Sequence, residues 1–427
     1  MKDAVIVEGL RTPYAKAGTV LKDVPADELG AFVIKEIVAR TGIDPETVDE
    51  VIMGNAGMPA ESANIARVSA LRAGIPQRIP AYSVQRNCAS GMQAAAGAYT
   101  QIIAGLSDVV IVSGVESMSG YRFYTTDKFK DAVTAMQRAK SFGAKAAAAL
   151  SLRPRDLRPV VGLTLGLTDP VSGLIMGETA ENLVRDFGVS RREQDEFALR
   201  SHQRWAAANE AGRFKNEIVP FYVPPKFTPV EEDVGPRKNQ TMEALGKLAP
   251  YFDKKYGTVT PGNSSPITDG AAAALIMSAD RARELGYKPL GYVRAFAFAG
   301  LDPSRMGLGP VFATHRALKQ TGMKLSDMQL VEINEAFAAQ VLSVQRAAGS
   351  REFFKKHLPG EDPLGEFRDD ILNVNGGAIA VGHPVGSSGL RIMITLLKEM
   401  ERRNLSLGLA TLCVGGGQGG AAILERK

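Results

Sequence analysis

Apolar positions along the chain follow two alternating patterns. Short apolar runs closed by glycine, AVIVEG (4–9) and EVIMGN (50–55), predict buried strands. Between them ADELGAFVIKEIVART (26–41) repeats its apolar residues at helical spacing. AYSVQ (81–85) predicts another strand, the Ala-rich run Ser90 to Ala104 a helix, and SDVVIVSGVES (107–117) a strand. Strand–helix–strand order of this kind implies parallel strands covered by helices, an α/β fold.

The scheme recurs later. GYVRAFAFAG (291–300) predicts a strand, GPVFATHRALKQTG (309–322) a helix, and MQLVEINEAFAAQVLSVQRA (328–347) a strand running into a helix. DDILNVNGG (369–377) predicts a strand and SSGLRIMITLLKEMERR (387–403) a periodic helix. LGLATLCVGGGQGGAAILE (407–425) predicts two strands joined by a glycine run. This repeated order predicts duplicated α/β halves, 1–120 with 252–283 and 284–427. TDGAAAALIMSA (268–279) is the strand expected to return the chain to the first half. Between them, 121–251 is expected to be a helical, Pro-punctuated loop domain. Tyr121 to Val160 holds nine Lys/Arg against three Asp, and FKDAVTAMQRAKSFGAKAAAAL (129–150) predicts a basic amphipathic helix. That insertion is either a solvated surface or a surface that meets a membrane or a partner.

Composition narrows the chemistry. At 427 residues, 45% apolar and 23% charged, the chain is expected to be a soluble globular protein of more than one unit. The opening MKDAVIVEGLRTP resembles neither a signal peptide nor a transit sequence, so the expected location is the cytoplasm. Two cysteines argue against a disulfide framework, and four histidines without CxxC or HExxH argue against a zinc site. The +5 net charge favours an anionic small molecule, and no dense basic stripe points to nucleic acid.

Four stretches at predicted strand ends carry candidate chemistry, because ligands bind there in open α/β folds. Cys88, in VQRNCASGMQAAAG, opens a helix, where the backbone dipole favours a thiolate and so lowers the thiol pKa; a small buried apolar role is the alternative. His383 sits among glycines in NVNGGAIAVGHPVGSSG, as a rigid imidazole or a turn residue without a role. Asn334 and Glu335 follow an apolar run, where a polar pair needs partners; helix capping by Asn334 is the ordinary alternative. CVGGGQGG, from Cys413 to Gly420, lacks the Lys-Ser/Thr ending of a phosphate loop and fits a turn whose bare N–H groups approach a substrate carbonyl.

Together NCASGMQA, MGETAENL, EQDEFALRSHQ, NEAFA, NGGAIAVGHPVGSSG and CVGGGQGG closely resemble the thiolase family of acyl-CoA acyltransferases over essentially the whole chain. The resemblance implies a five-layer αβαβα arrangement. It implies that Cys88 becomes acylated, that His383 activates it, and that Cys413 moves the proton at the α-carbon of acetyl-CoA. Asn334 would hold a water that forms one oxyanion hole with His383; the N–H groups of Cys88 and Gly415 would form the other. Met176, Arg237, Leu248, Ser265, Ala336 and Phe337 would line the coenzyme A channel, with Arg237 at the adenine or 3′-phosphate end. Coenzyme A is then a substrate, and no metal or redox cofactor is needed.

Ile175 stands where short-chain biosynthetic members often carry His, which weakens an acetoacetyl-CoA-only reading. LRPRDLRPV (152–160) resembles a loop of the β subunit of fatty-acid-oxidation complexes, a group that typically has His at the position of Asn334. The expected function is thiolysis of 3-ketoacyl-CoA in β-oxidation. The alternatives are acetoacetyl-CoA condensation and a non-catalytic acyl-CoA-binding relative. A homodimer or tetramer is expected from the family, with an α subunit or a membrane as the insertion's partner.

Overall fold

The computed structural model describes residues 2–427. The first half supplies strands β1 (Ala4–Arg11), β2 (Ala15–Lys16), β3 (Glu50–Gly54), β4 (Ala81–Val84) and β5 (Val109–Ser117). The intervening segment adds two small two-stranded sheets, β6 (Phe123–Tyr124) with β7 (Val160–Val161) and β8 (Phe221–Val223) with β9 (Thr228–Val230). The chain then returns in β10 (Thr268–Ser278), and the second half contributes β11 (Gly291–Gly300), β12 (Leu330–Ile333), β13 (Leu407–Val414) and β14 (Gln418–Glu425).

One ten-stranded sheet runs β12-β13-β14-β11-β1-β10-β5-β3-β4, with β2 on β10. β3 is parallel to β4 and β5, and β12 to β13, while β10, β11 and β14 pair antiparallel with their neighbours. Within the sheet, the strands of the two halves pair at two positions, Val5 with Tyr292 and Ile6 with Gly291.

Side-chain alternation along these strands builds the layers. On β1, Val5 and Val7 pack with Leu29 and Ile34 of the outer helix Ala26–Thr41. Ala4 and Ile6 face the other way, into a core with Met92 of the helix Ser90–Ile103 and Leu390 of the helix Val385–Arg403. On β14, Ala422 and Leu424 enter that same middle core, whereas Ala421 and Ile423 meet Val311 and Val341 of the outer helices Gly309–Thr321 and Ala338–Gly349. The two halves of this one sheet lie on either side of the middle helices, so the stack reads helix, sheet, helix, sheet, helix.

Two expected elements differ. The run 369–377 is not a strand: only Leu372 bridges, to Val331. Asn373 adopts a positive φ of 44° and replaces the ladder with its side chain. Its Oδ1 accepts from Ile333 N at 2.8 Å, and its Nδ2 donates to Ile333 O at 2.9 Å. The expected helix 129–150 breaks at Ala139–Lys140 into two, Asp127–Arg138 and Phe142–Leu150, the second capped by Ser141.

Replacing Asn373 by Gly keeps the left-handed turn and strips both backbone groups of Ile333 of their partner. Each orphaned buried group costs about 1–3 kcal/mol, so Asn373→Gly should lower the midpoint of chemical unfolding clearly. An unchanged midpoint would show that the side chain is dispensable.

Candidate active site

Cys88 lies in a single 3-10 turn, Asn87–Ala89, between β4 and the middle-layer helix. It is partly exposed, and two cavities meet at it, one of about 740 Å³ and one of about 850 Å³. The larger cavity also touches Met58, Tyr121, Leu165 and Gly415. The smaller carries His383 and Cys413 on its wall.

His383 follows Gly382, whose φ is 101° and whose added Cβ would fall 2.2 Å from Thr268 Oγ1, so glycine is required there. Thr268 Oγ1 accepts from His383 N at 3.2 Å. On the ring, Nδ1 lies 2.6 Å from Ser388 Oγ, and that hydroxyl donates to Pro384 O at 3.0 Å. With the hydroxyl proton committed to Pro384, Nδ1 carries the ring proton and Nε2 keeps its lone pair, a tautomer assigned from the network. Asn334 Nδ2 stands 3.4 Å from Nε2. Burial, and then the charge of Arg391, push the imidazole down to about 3, so it is neutral at rest.

Asn334 does not cap a helix. Its N–H donates to Thr411 O at 3.0 Å, and the following helix begins after Phe337. Its Oδ1 is buried without a protein partner. Glu335, beside it, is a structural tie, accepting from Ser201 Oγ at 2.6 Å, Asn373 Nδ2 at 2.8 Å and Ile379 N at 3.2 Å.

Cys413 is fully buried near the end of β13, against Ala180, Met306, Ala336 and Phe337. Burial, reinforced by neighbouring Cys88, pushes its thiol well above the ordinary value. The lowered pKa expected for Cys88 at a helix start is not found. Burial pushes that thiol up as well, and the Gly415 N–H aimed at it pulls only part of the way back. Both sulfurs therefore rest as neutral thiols.

Of the expected channel residues, Met176, Arg237, Ser265, Ala336 and Phe337 line the smaller cavity. Ser265 N donates to Ala336 O at 3.0 Å, which ties the two walls together. Arg237 is exposed at the rim, its N–H donating to His202 Nδ1 at 3.2 Å. Leu248 is off that wall, packed beside the core around Leu245. Glu116, which the sequence reading passed over, is buried in the wall of the larger cavity. It accepts from Ala56 N, Gly57 N and Gly386 N, each at 3.0 Å, and burial pushes it up to about 7. The one signal for it was an acid closing an otherwise apolar strand.

Two thiols and one imidazole thus gather around shared cavity space on a duplicated α/β frame, the frame of an acyltransferase family. The chain belongs to the thiolase family: residues 4–280 match the thiolase N-terminal domain and 287–426 the thiolase C-terminal domain. It is 41% identical over 420 residues to a 3-ketoacyl-CoA thiolase of Pectobacterium carotovorum, covering 98% of this chain and 95% of that one. A 3-ketoacyl-CoA thiolase of Yersinia enterocolitica is 41% identical over 421 residues, covering 98% and 96%. The acetyl-CoA acetyltransferase of Bacillus anthracis superposes with a TM-score of 0.87 at 38% identity, covering 100% of this chain and 99% of that one. Human mitochondrial 3-ketoacyl-CoA thiolase in complex with CoA does so with a TM-score of 0.87 at 38% identity, covering 100% and 98%.

With neutral thiols and an imidazole that does not titrate near neutrality, iodoacetamide should label Cys88 and spare Cys413 in the folded protein. The rate should climb about tenfold per pH unit across neutral pH, following the thiolate fraction. Peptide mass spectrometry reads it, and a rate already flat below neutral pH would reveal a standing thiolate–imidazolium pair instead.

Proposed function

We propose that the protein is a 3-ketoacyl-CoA thiolase that cleaves its substrate with coenzyme A into acetyl-CoA and a shortened acyl-CoA. The observation that carries this is the meeting of Cys88, His383 and Cys413 on one cavity, with a second cavity opening from the same sulfur.

His383 Nε2 takes the Cys88 proton as Sγ attacks the 3-keto carbon. The resulting oxyanion is held by the N–H groups of Cys88 and Gly415. Collapse breaks the bond between C2 and C3, and its electron pair goes to the enolate of acetyl-CoA. Cys413, a proton-bearing thiol, protonates that carbon. The enolate oxygen faces His383 and a water on Asn334, whose unpartnered Oδ1 supplies an acceptor. Coenzyme A then attacks the acyl-Cys88 thioester; its thiol proton restores Cys413, and the proton on His383 returns to the leaving Cys88.

The segment 121–251 supplies part of the coenzyme A channel through Met176 and Arg237. Arg237 forms no ion pair among the described residues, which suits it to a phosphate. The larger cavity gives an acyl chain space beyond acetoacetyl. A second copy is proposed to pair along β4, the end strand of the sheet, whose four residues are all partly exposed. The helix Phe142–Leu150 is proposed to meet an anionic membrane. It buries no residue, exposes Phe142 by 88% and Leu150 by 85%, and is flanked by Lys140 and Arg153. No helix among the described residues is long and apolar enough to cross one.

Thiolysis of C4, C8 and C16 3-ketoacyl-CoA should proceed with the longer substrates at least as well as with C4, and mass spectrometry should find the acyl group on Cys88. Cleavage of C4 alone would assign acetoacetyl-CoA chemistry, and no cleavage at all would leave a binding protein. Flotation should show binding to phosphatidylglycerol-containing vesicles and not to phosphatidylcholine alone, abolished in a Phe142→Ser/Leu150→Ser variant. Equal binding by that variant would remove the membrane from this surface.

A further inference from the structure

The residue before the nucleophile has a task of its own. Asn87 has a φ of 43°, a left-handed conformation that Asn tolerates better than most side chains. From there its Nδ2 donates to Gly415 O at 2.8 Å. Its Oδ1 accepts from Gln85 Nε2 at 3.0 Å. The amide orientation is set by chemistry: a carbonyl can only accept, so Nδ2 must face Gly415.

The recipient is a bare-backbone turn that closes the β13–β14 ladder between Val414 and Gln418. Gly415, Gly416 and Gly417 have no side chains, and φ is 84° and 74° at the last two. Among the described residues, Asn87 makes the one side-chain hydrogen bond to this turn. Leu301 N holds the far end, donating to Gly417 O at 2.8 Å. The near end is Gly415, whose backbone N–H favours the Cys88 thiolate. A side chain on Gly415 would project between Met176 Sδ, at 3.3 Å, and Asn87 Nδ2, at 3.7 Å.

We propose that Asn87 is a positioning residue: its side-chain amide clamps the Gly415 turn to the nucleophile turn, so that Cys88 and the N–H facing it keep one geometry. This rests on the reading that Gly415 and Cys88 act together on the acyl carbonyl. Asn87 reaches Gly415 from the residue adjacent to the sulfur, so any shift of one turn is transmitted to the other. A residue that served the left-handed turn alone would be replaceable by Gly without consequence.

Two variants separate these roles. Asn87→Gly keeps the turn and removes the clamp; Asn87→Asp keeps size and the Oδ1 acceptor but sets an oxygen against the Gly415 carbonyl. Loss of a direct oxyanion donor costs about 10²–10³ in kcat; losing the residue that aims it should cost about 10-fold or more in kcat in both variants. KM for the ketoacyl-CoA should be little changed. The pH profile of Cys88 alkylation should move to higher pH, because the misaimed N–H no longer favours the thiolate.

Thermal midpoints equal to wild type would place the effect in the site. Wild-type kcat and an unshifted alkylation profile in Asn87→Gly would overturn the clamp; if that variant does not fold, the same result in Asn87→Asp does so. The alkylation profile is read without turnover. A wild-type protein that never acylates Cys88 would sink the proposed reaction while a shifted profile in the variants still upholds the clamp.

Discussion

The structure depends on backbone-to-backbone contact at the start of the two middle-layer helices. Side chains at Gly54, Gly91, Gly114 and Gly389 would have Cβ atoms 2.2 Å from Ser90 C, 2.9 Å from Gly386 O, 2.5 Å from Gly386 O and 2.9 Å from Met92 N. None of these neighbours is a flexible side-chain tip that could swing aside. The residues just ahead of those helices are Cys88 and His383, one from each half of the chain. Stripped of Cβ atoms, the two helix starts come near enough for a sulfur and an imidazole to share a cavity. The duplicated halves thus matter for chemistry as well as for burial.

Around that contact Cys88, His383 and Cys413 are all uncharged at rest. Burial raises both thiols and lowers the imidazole. A permanent thiolate–imidazolium pair would carry a desolvation penalty in such a place. In the proposed reaction, neutral groups with aimed donors postpone charge until a substrate carbonyl can accept it. Asn334 and the glycine turn after Cys413 suit that arrangement, since each offers dipoles without charge.

Much of this was legible in the sequence because it depends on periodicity and local chemistry. The unbroken apolar runs in AVIVEG and GGAAILE marked buried strands, and Cys88, His383 and Cys413 stood out at predicted strand ends. What escaped was tertiary. Asn373 looks like part of a strand until its side chain is seen taking the ladder's place on Ile333. Glu116 looks like an ordinary strand-end acid until Gly386, from the other half, donates to it. The thiol pKa values depend on how deep the sulfurs lie, which no spacing encodes. Leu248, which the resemblance implies for the channel, packs beside the core around Leu245, a placement that no local spacing encodes.

The seam between the halves sets an order of events in synthesis. Cys88 emerges from the ribosome early, with the strands of the first half around it, while His383, Cys413 and the glycine turn follow much later. Until β11 pairs with β1 and the second middle helix fills the shared core, Cys88 lies apart from His383, the base proposed for it. On those proposed roles, a chain whose halves have not docked holds the sulfur without its base.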